Sequence, residues 1–202
     1  MKYVWMVITM NKEHTLLCVL GRTSSGKDTL VNKLCEKMGL NAIMSYTTRP
    51  RRDNECDTHI FTTKEVYKQM QVEGNVAAYT EIAKNYYWTT IDQLYKNDVY
   101  IIDPNGVQTL RKLNLPNLRL VTVFINTPDN IREHRALNQR GDDKTKFRER
   151  NLAERDQFRT MLKNADFDYA ISNVNFTNAY SILKWIATVE GCWMNNKEDT
   201  TE

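Results

Sequence analysis

Four short apolar runs stand out of a mostly polar chain, at residues 15–20, 99–102, 120–125 and 169–171. Their apolar positions are continuous rather than alternating. A strand reads this way when helices cover both faces of its sheet. A further run at 42–44 predicts a fifth strand. Between the runs the period changes. Over residues 27–38, Leu30, Val31, Leu34, Cys35 and Met38 fall at spacings of one, three and four, which is one face of a helix. Thr127-Pro128-Asp129 predicts another helix start, with proline in the first turn and an acid beside the exposed amides. Residues 178–189 read as a C-terminal amphipathic helix. Strands alternating with helices predict an α/β fold built on a parallel sheet. Two stretches break this rhythm. Residues 45–93 are rich in Thr, Tyr, Arg and Asn with short strand-like pieces, and residues 132–159 are helical and strongly basic.

Composition narrows the picture. With 202 residues, 41% of them hydrophobic, the chain has enough apolar material for one sizeable core. A net charge of +3 is too small to point to nucleic acid. The cysteines (Cys18, Cys35, Cys56, Cys192) lack metal-binding spacing and read as free thiols of a reducing compartment, here the cytoplasm. No segment reaches the roughly 18–20 apolar residues of a membrane span. Residues 3–8 are apolar but lack a cleavage site, so a signal peptide is rejected. Met10 is a natural start, which makes residues 1–9 an extension. The polar residues 191–202 form a tail.

The chemistry begins directly after the first apolar run, at Gly21-Arg22-Thr23-Ser24-Ser25-Gly26-Lys27-Asp28-Thr29. Strand, glycine-bounded turn, lysine and helix start follow in the order of a phosphate-binding loop. Glycines let backbone N–H groups approach the phosphate, Lys27 reaches its oxygens, and the following helix dipole adds positive potential. The pattern departs from G-x-x-x-x-G-K-[ST] at one position, where Asp28 replaces the hydroxyl that ligates Mg²⁺. A carboxylate can hold Mg²⁺ as well, since this ion keeps several waters. Asp28 can equally be a residue of the helix N-cap type with no metal role.

Ser45-Tyr46-Thr47-Thr48-Arg49-Pro50-Arg51-Arg52 follows. Arg forks bind phosphate bidentately, and two spaced three apart can grip one phosphoryl group. The segment resembles the guanylate kinase family. The likeness continues through Glu55, His59-Ile60-Phe61, Glu81, Asn85-Tyr86-Tyr87, Ile102-Asp103 and Asn105-Gly106. It goes on to Arg140-Gly141, Arg150, Ala153-Glu154, Phe167-Asp168-Tyr169, Ile171 and Asn173, over about residues 15–189. The resemblance implies a P-loop NTPase fold of three layers with a parallel sheet, an inserted α+β lobe for the nucleoside monophosphate, and a basic helical lid. The implied division is a core at 10–44, 94–131 and 151–190, the lobe at 45–93 and the lid at 132–150. The implied reaction is MgATP + GMP → ADP + GDP, with small-molecule nucleotides as the partners.

Carried over by position, the loop residues Gly21, Thr23, Ser24, Ser25, Gly26, Lys27, Asp28 and Thr29 take the ATP phosphates, and Asn173 lies near the adenine. Ser45, Arg49, Arg52, His59, Glu81, Tyr87, Thr89 and Asp103 take the GMP. Arg140 and Arg150 are lid arginines that stabilise the transferred group, while the other charges of 132–159 read as a solvated face. Guanine's paired N1–H and N2–H suit one carboxylate, Glu81, and its O6 suits the hydroxyl of Ser45 or Thr89. Asp103 ends an apolar strand, at the ligand edge of a parallel sheet, where it can orient Mg²⁺ waters or contact the nucleobase; the other reading is a helix cap or turn residue.

Four positions depart from the family. Asp28 is one. His59 replaces a tyrosine, Trp88 replaces a glycine and either walls the acceptor pocket or packs as lobe core, and Ile101 replaces an acid. The interval from Glu55 to His59 is also two residues short. Two other readings remain beside GMP or dGMP kinase: a related kinase with an acceptor such as ribose 1,5-bisphosphate, and a non-catalytic guanylate kinase-like binding module.

Overall fold

The first apolar run forms β1 (His14–Leu20) in the computed structural model, which describes residues 13–51, 59–82 and 84–192. The chain continues through α1 (Lys27–Met38), β2 (Ser45–Thr47), β3 (His59–Phe61), α2 (Lys64–Val72), β4 (Val76–Ile82), β5 (Asn85–Thr90) and α3 (Ile91–Lys96). It then runs through β6 (Val99–Ile101), α4 (Pro104–Leu113), β7 (Leu118–Asn126), α5 (Asp129–His134), a π-helical turn (Arg135–Gln139), α6 (Lys144–Asn164), β8 (Tyr169–Ser172) and α7 (Phe176–Val189).

Strands β6, β1, β7 and β8 form a parallel sheet in that order. Successive side chains of a strand point to opposite faces, and β1 feeds two cores. Leu17 and Val19 pack with Leu30, Val31 and Leu34 of α1 and Leu183 and Ile186 of α7. Leu16, Cys18 and Leu20 pack with Val107 and Leu110 of α4 and Phe158 and Met161 of α6. Helices on both faces of a parallel sheet give three layers, as the continuous apolar runs predict. The fifth predicted strand shrinks to a parallel bridge from Ala42 to Val99, with Ile43 N–H donating to Val99 O.

A second sheet holds β3, β2, β5 and β4 in order, mixed in direction. One of its faces carries the aromatic core. Trp88, 1% exposed, stacks on Tyr46 at 5.4 Å and meets Tyr67 of α2 edge-on at 5.2 Å. Trp88 is therefore core of this sheet and not a pocket wall.

The basic stretch is helical in pieces: residues 140–143 interrupt it, and Asp143 caps α6 by accepting from Lys146 N–H. Two further expectations are corrected. α7 begins at Phe176, capped by Asn175, two residues before the periodicity suggests. The polar tail starts later than Gly191, because Cys192 is fully buried in the core. Cys18, Cys35 and Cys192 are free, and burial pushes their thiols up to about 12, 11 and 12. Residues 1–9, Arg52, Glu55, Cys56 and all of the tail after Cys192 lie outside the described residues.

Candidate functional site

Residues 21–26 leave the C-terminal end of β1 and turn tightly into α1. Gly26 adopts φ +85°, and a Cβ there would lie 2.5 Å from Asn173 Nδ2, so both conformation and space demand glycine. Ser24 also sits in the left-handed region, at φ +60°. The loop carbonyls are tied down from behind. Ser25 O accepts from Thr127 Oγ1 (3.0 Å), Arg135 Nη1 (3.1 Å) and Asn173 Nδ2 (2.7 Å), and Thr23 O accepts from Arg132 Nη1 (3.0 Å). The N-terminal amides of α1 have no intrahelical acceptor, which leaves them to an anion.

Lys27 is the first residue of α1, with its ammonium 3.9 Å from the Asp28 carboxylate. Gly26, not Asp28, is the N-cap position, so the capping alternative for Asp28 falls. Its side chain, 55% exposed, stands in the first turn, where one carboxylate with phosphate oxygens and waters suits Mg²⁺. Among the described residues no cluster of three or more His, Cys, Asp or Glu forms a ready metal cage. Asn173 is 1% exposed and braces the loop from beneath.

Arg132 is 1% exposed, against the expectation of a solvated face. Besides Thr23 O it donates to Asp129 Oδ1 (2.7 Å) and Asn151 Oδ1 (2.9 Å). Arg135 bridges Ser25 O and Asn173 O. The sequence reading missed both. Their signal was the i, i+3 spacing directly after the Pro128 helix start, which aims both at the loop.

Of the two lid arginines, Arg140 meets the loop directly and Arg150 is joined to it through Asp142. Arg140 Nη2 donates to Ser24 Oγ (2.7 Å) and to Asp142 Oδ2 (2.6 Å), and Arg150 Nη2 donates to the same Asp142 oxygen (2.5 Å). Burial alone would raise the Asp142 carboxyl, but the bond from Arg150 and the charge of Arg140 hold it below its ordinary value. Glu154 of α6 accepts from Thr23 N–H at 2.7 Å, and Asn151 accepts from Arg22 at 2.7 Å.

The second sheet groups most of the remaining candidates. Directly paired residues share a face, so Ser45 with His59, and Thr47 with Phe61 and Tyr87, lie together. Thr89 shares that face, two residues on from Tyr87, and is fully buried, its hydroxyl bonded to Gln93 Oε1 at 2.8 Å. His59 meets the Tyr87 ring edge-on at 5.9 Å. The guanidiniums of Arg49 and Arg51 lie 5.5 and 5.2 Å from the Phe61 ring. Glu81 is not in this group. It pairs with Tyr86 and accepts from Tyr79 Oη at 3.3 Å, on the aromatic face. Asp103 caps α4, accepting from Gly106 N–H at 3.0 Å through Oδ1.

The sequence model of the guanylate kinase family matches residues 13–189. The chain belongs to the guanylate kinase family. It is a kinase, of the nucleoside monophosphate class. It is 30% identical over 195 residues to the guanylate kinase of Salmonella typhimurium, covering 91% of this chain and 92% of that one. The guanylate kinase of Escherichia coli K12 is 29% identical over the same shares. A crystal structure of guanylate kinase from Anaplasma phagocytophilum superposes with a TM-score of 0.61 at 18% identity, covering 89% of this chain and 87% of that one. The latter likeness speaks to the fold. Among the described residues no helix of this kinase is long and apolar enough to cross a membrane.

Proposed function

We propose that this kinase transfers the γ-phosphoryl group of ATP to GMP or dGMP. The observation that carries the reading is the hydrogen-bonded path from the phosphate loop into the lid, Ser24 to Arg140 to Asp142 to Arg150. It puts two fixed positive charges beside the loop whose amides and Lys27 take the donor phosphates. In the reaction the acceptor phosphate oxygen bonds to the γ-phosphorus as the bond to the β–γ bridging oxygen breaks, and ADP leaves. No side-chain nucleophile is required. The protein positions the reactants and neutralises charge on the equatorial oxygens, the task of Lys27, Arg140 and Arg150. Asp28 would hold Mg²⁺, which supplies further charge neutralisation at the phosphates.

On the acceptor side we assign the phosphate to Arg49 and Tyr87, with Arg52 and His59 proposed beside them. The base lies toward Ser45 and Thr89. The carboxylate for guanine N1–H and N2–H is assigned to Asp103, at the ligand edge of the parallel sheet, since Glu81 faces the other side of its own sheet. That orientation, with Asp28 in the loop, is also what favours the second reading, a kinase of the same fold acting on ribose 1,5-bisphosphate.

The test is Lys27→Ala. Transfer falls by about 100- to 1000-fold, while far-UV circular dichroism and the urea midpoint stay put. Retained turnover would remove Lys27 and its loop from the donor site.

A further inference from the structure

Asp142 sits at the joint between the π-helical turn and α6, and its backbone is pinned from both sides. Its N–H donates to Ala136 O at 2.9 Å, Gly141 before it turns at φ +69°, and Asp143 after it caps α6 through the Lys146 N–H. The carboxylate is therefore placed by backbone structure, not by a free loop. One of its oxygens takes both guanidiniums, at 2.6 Å from Arg140 and 2.5 Å from Arg150. Arg150 is fixed again by Nε donating to Lys146 O at 3.3 Å, and Arg140 by Ser24 Oγ at 2.7 Å.

Two guanidiniums brought to one point repel each other unless an anion lies between them. Each guanidinium carries five N–H donors, and a single nitrogen of each reaches Asp142. Besides Arg140's bond to Ser24 Oγ and the Nε bond of Arg150 to Lys146 O, donors on the Nη1 side of both forks remain for phosphoryl oxygens. Charge stabilisation in phosphoryl transfer is strongest when the donors are already aimed before the charge develops.

We propose that Asp142 is a positioning residue: its carboxylate holds Arg140 and Arg150 converged beside the phosphate loop, oriented for the transferring phosphoryl group. The proposal rests on the phosphotransfer reading above. A carboxylate that merely blocked the site in the absence of nucleotide would have the opposite effect on rate, so the two ideas separate cleanly.

The experiment compares Asp142→Asn with the wild-type chain in steady-state kinetics with MgATP and GMP. It also measures the affinity for a non-hydrolysable ATP analogue and the thermal midpoint. The isosteric change removes one charge-assisted contact to each arginine, and kcat falls about 10- to 100-fold. Affinity for the analogue is unchanged or tighter, because one negative charge near the triphosphate is gone, and the midpoint holds. Asp142→Glu recovers part of kcat. In an Arg150→Lys background the same Asn substitution costs less than it does alone, since the pair acts as a unit. A kcat at or above wild type overturns the proposal, and so does a kcat that falls in step with analogue affinity and thermal midpoint. Wild-type turnover is the control. If the wild type transfers to GMP and Asp142→Asn matches it, only the role of Asp142 fails. If the wild type transfers to no acceptor, the parent reading fails and takes this one with it.

Discussion

Asp103 and Glu81 show how much a single residue's setting decides. Both are carboxylates in or near the acceptor region, and the sequence makes Glu81 the reader of guanine. The register of β4 against β5 puts it beside Tyr79 and Tyr86, away from Ser45, Tyr87 and Thr89. Asp103 uses Oδ1 for the α4 cap and keeps Oδ2. Asn caps a helix as well as Asp does, so Asp103→Asn preserves the cap and removes the charge. It is expected to raise the KM for GMP about 10- to 100-fold, the worth of a hydrogen bond to a charged group. Glu81→Gln should leave that KM within about twofold. The reverse pattern would return guanine recognition to Glu81. Arg132 carries the same lesson at the donor site. A charge in a basic run is ordinarily solvated, and this one is buried because Thr23 O, Asp129 and Asn151 supply acceptors from three segments.

At the scale of elements, the phosphate loop and the parallel sheet are legible because their signals are local. Continuous apolar runs mark strands covered on both faces, and glycines bracket a turn whose geometry needs them. The second sheet is not legible in this way, since its strands are mixed in direction and its core is aromatic. Trp88 is its keystone, packed against Tyr46, Tyr67 and the Sδ of Met70, to which its Nε1–H donates at 3.4 Å. Trp88→Ala is expected to destabilise this sheet by about 3–5 kcal/mol. Limited proteolysis should then cut within residues 45–93 first, while the parallel sheet stays protected. Uniform cleavage along the chain would show that the two sheets do not open separately. The π-helical turn was equally hidden. It inserts a residue into the helix between Arg135 and Arg140, closed by Arg140 N–H to Arg135 O at 3.2 Å. Periodicity over so short a stretch does not separate 3.6 residues per turn from a wider one.

Across the whole molecule, two carboxylates are kept acidic by what they bind. Hydrogen bonds from Tyr169 and Arg119 lower Glu190, and the bond from Arg132 lowers Asp129. Each has a folded-state pKa below its unfolded one. The stability they contribute is therefore complete above the ordinary carboxylate range, about pH 4, and is lost as pH falls through the lowered folded values. Urea midpoints should be level from pH 7 to about pH 5 and fall steeply below about pH 4; a midpoint that rises on acidification would contradict these pairings. The sequence showed the charges but not their partners, because pairs such as Arg119 with Glu190 join residues far apart in the chain.

The acceptor defines the activity of this kinase. ADP release from MgATP should be measured with GMP, dGMP, AMP, UMP, CMP and ribose 1,5-bisphosphate in parallel. Turnover confined to GMP and dGMP is the predicted result; turnover with ribose 1,5-bisphosphate alone, or with none of the six, contradicts it.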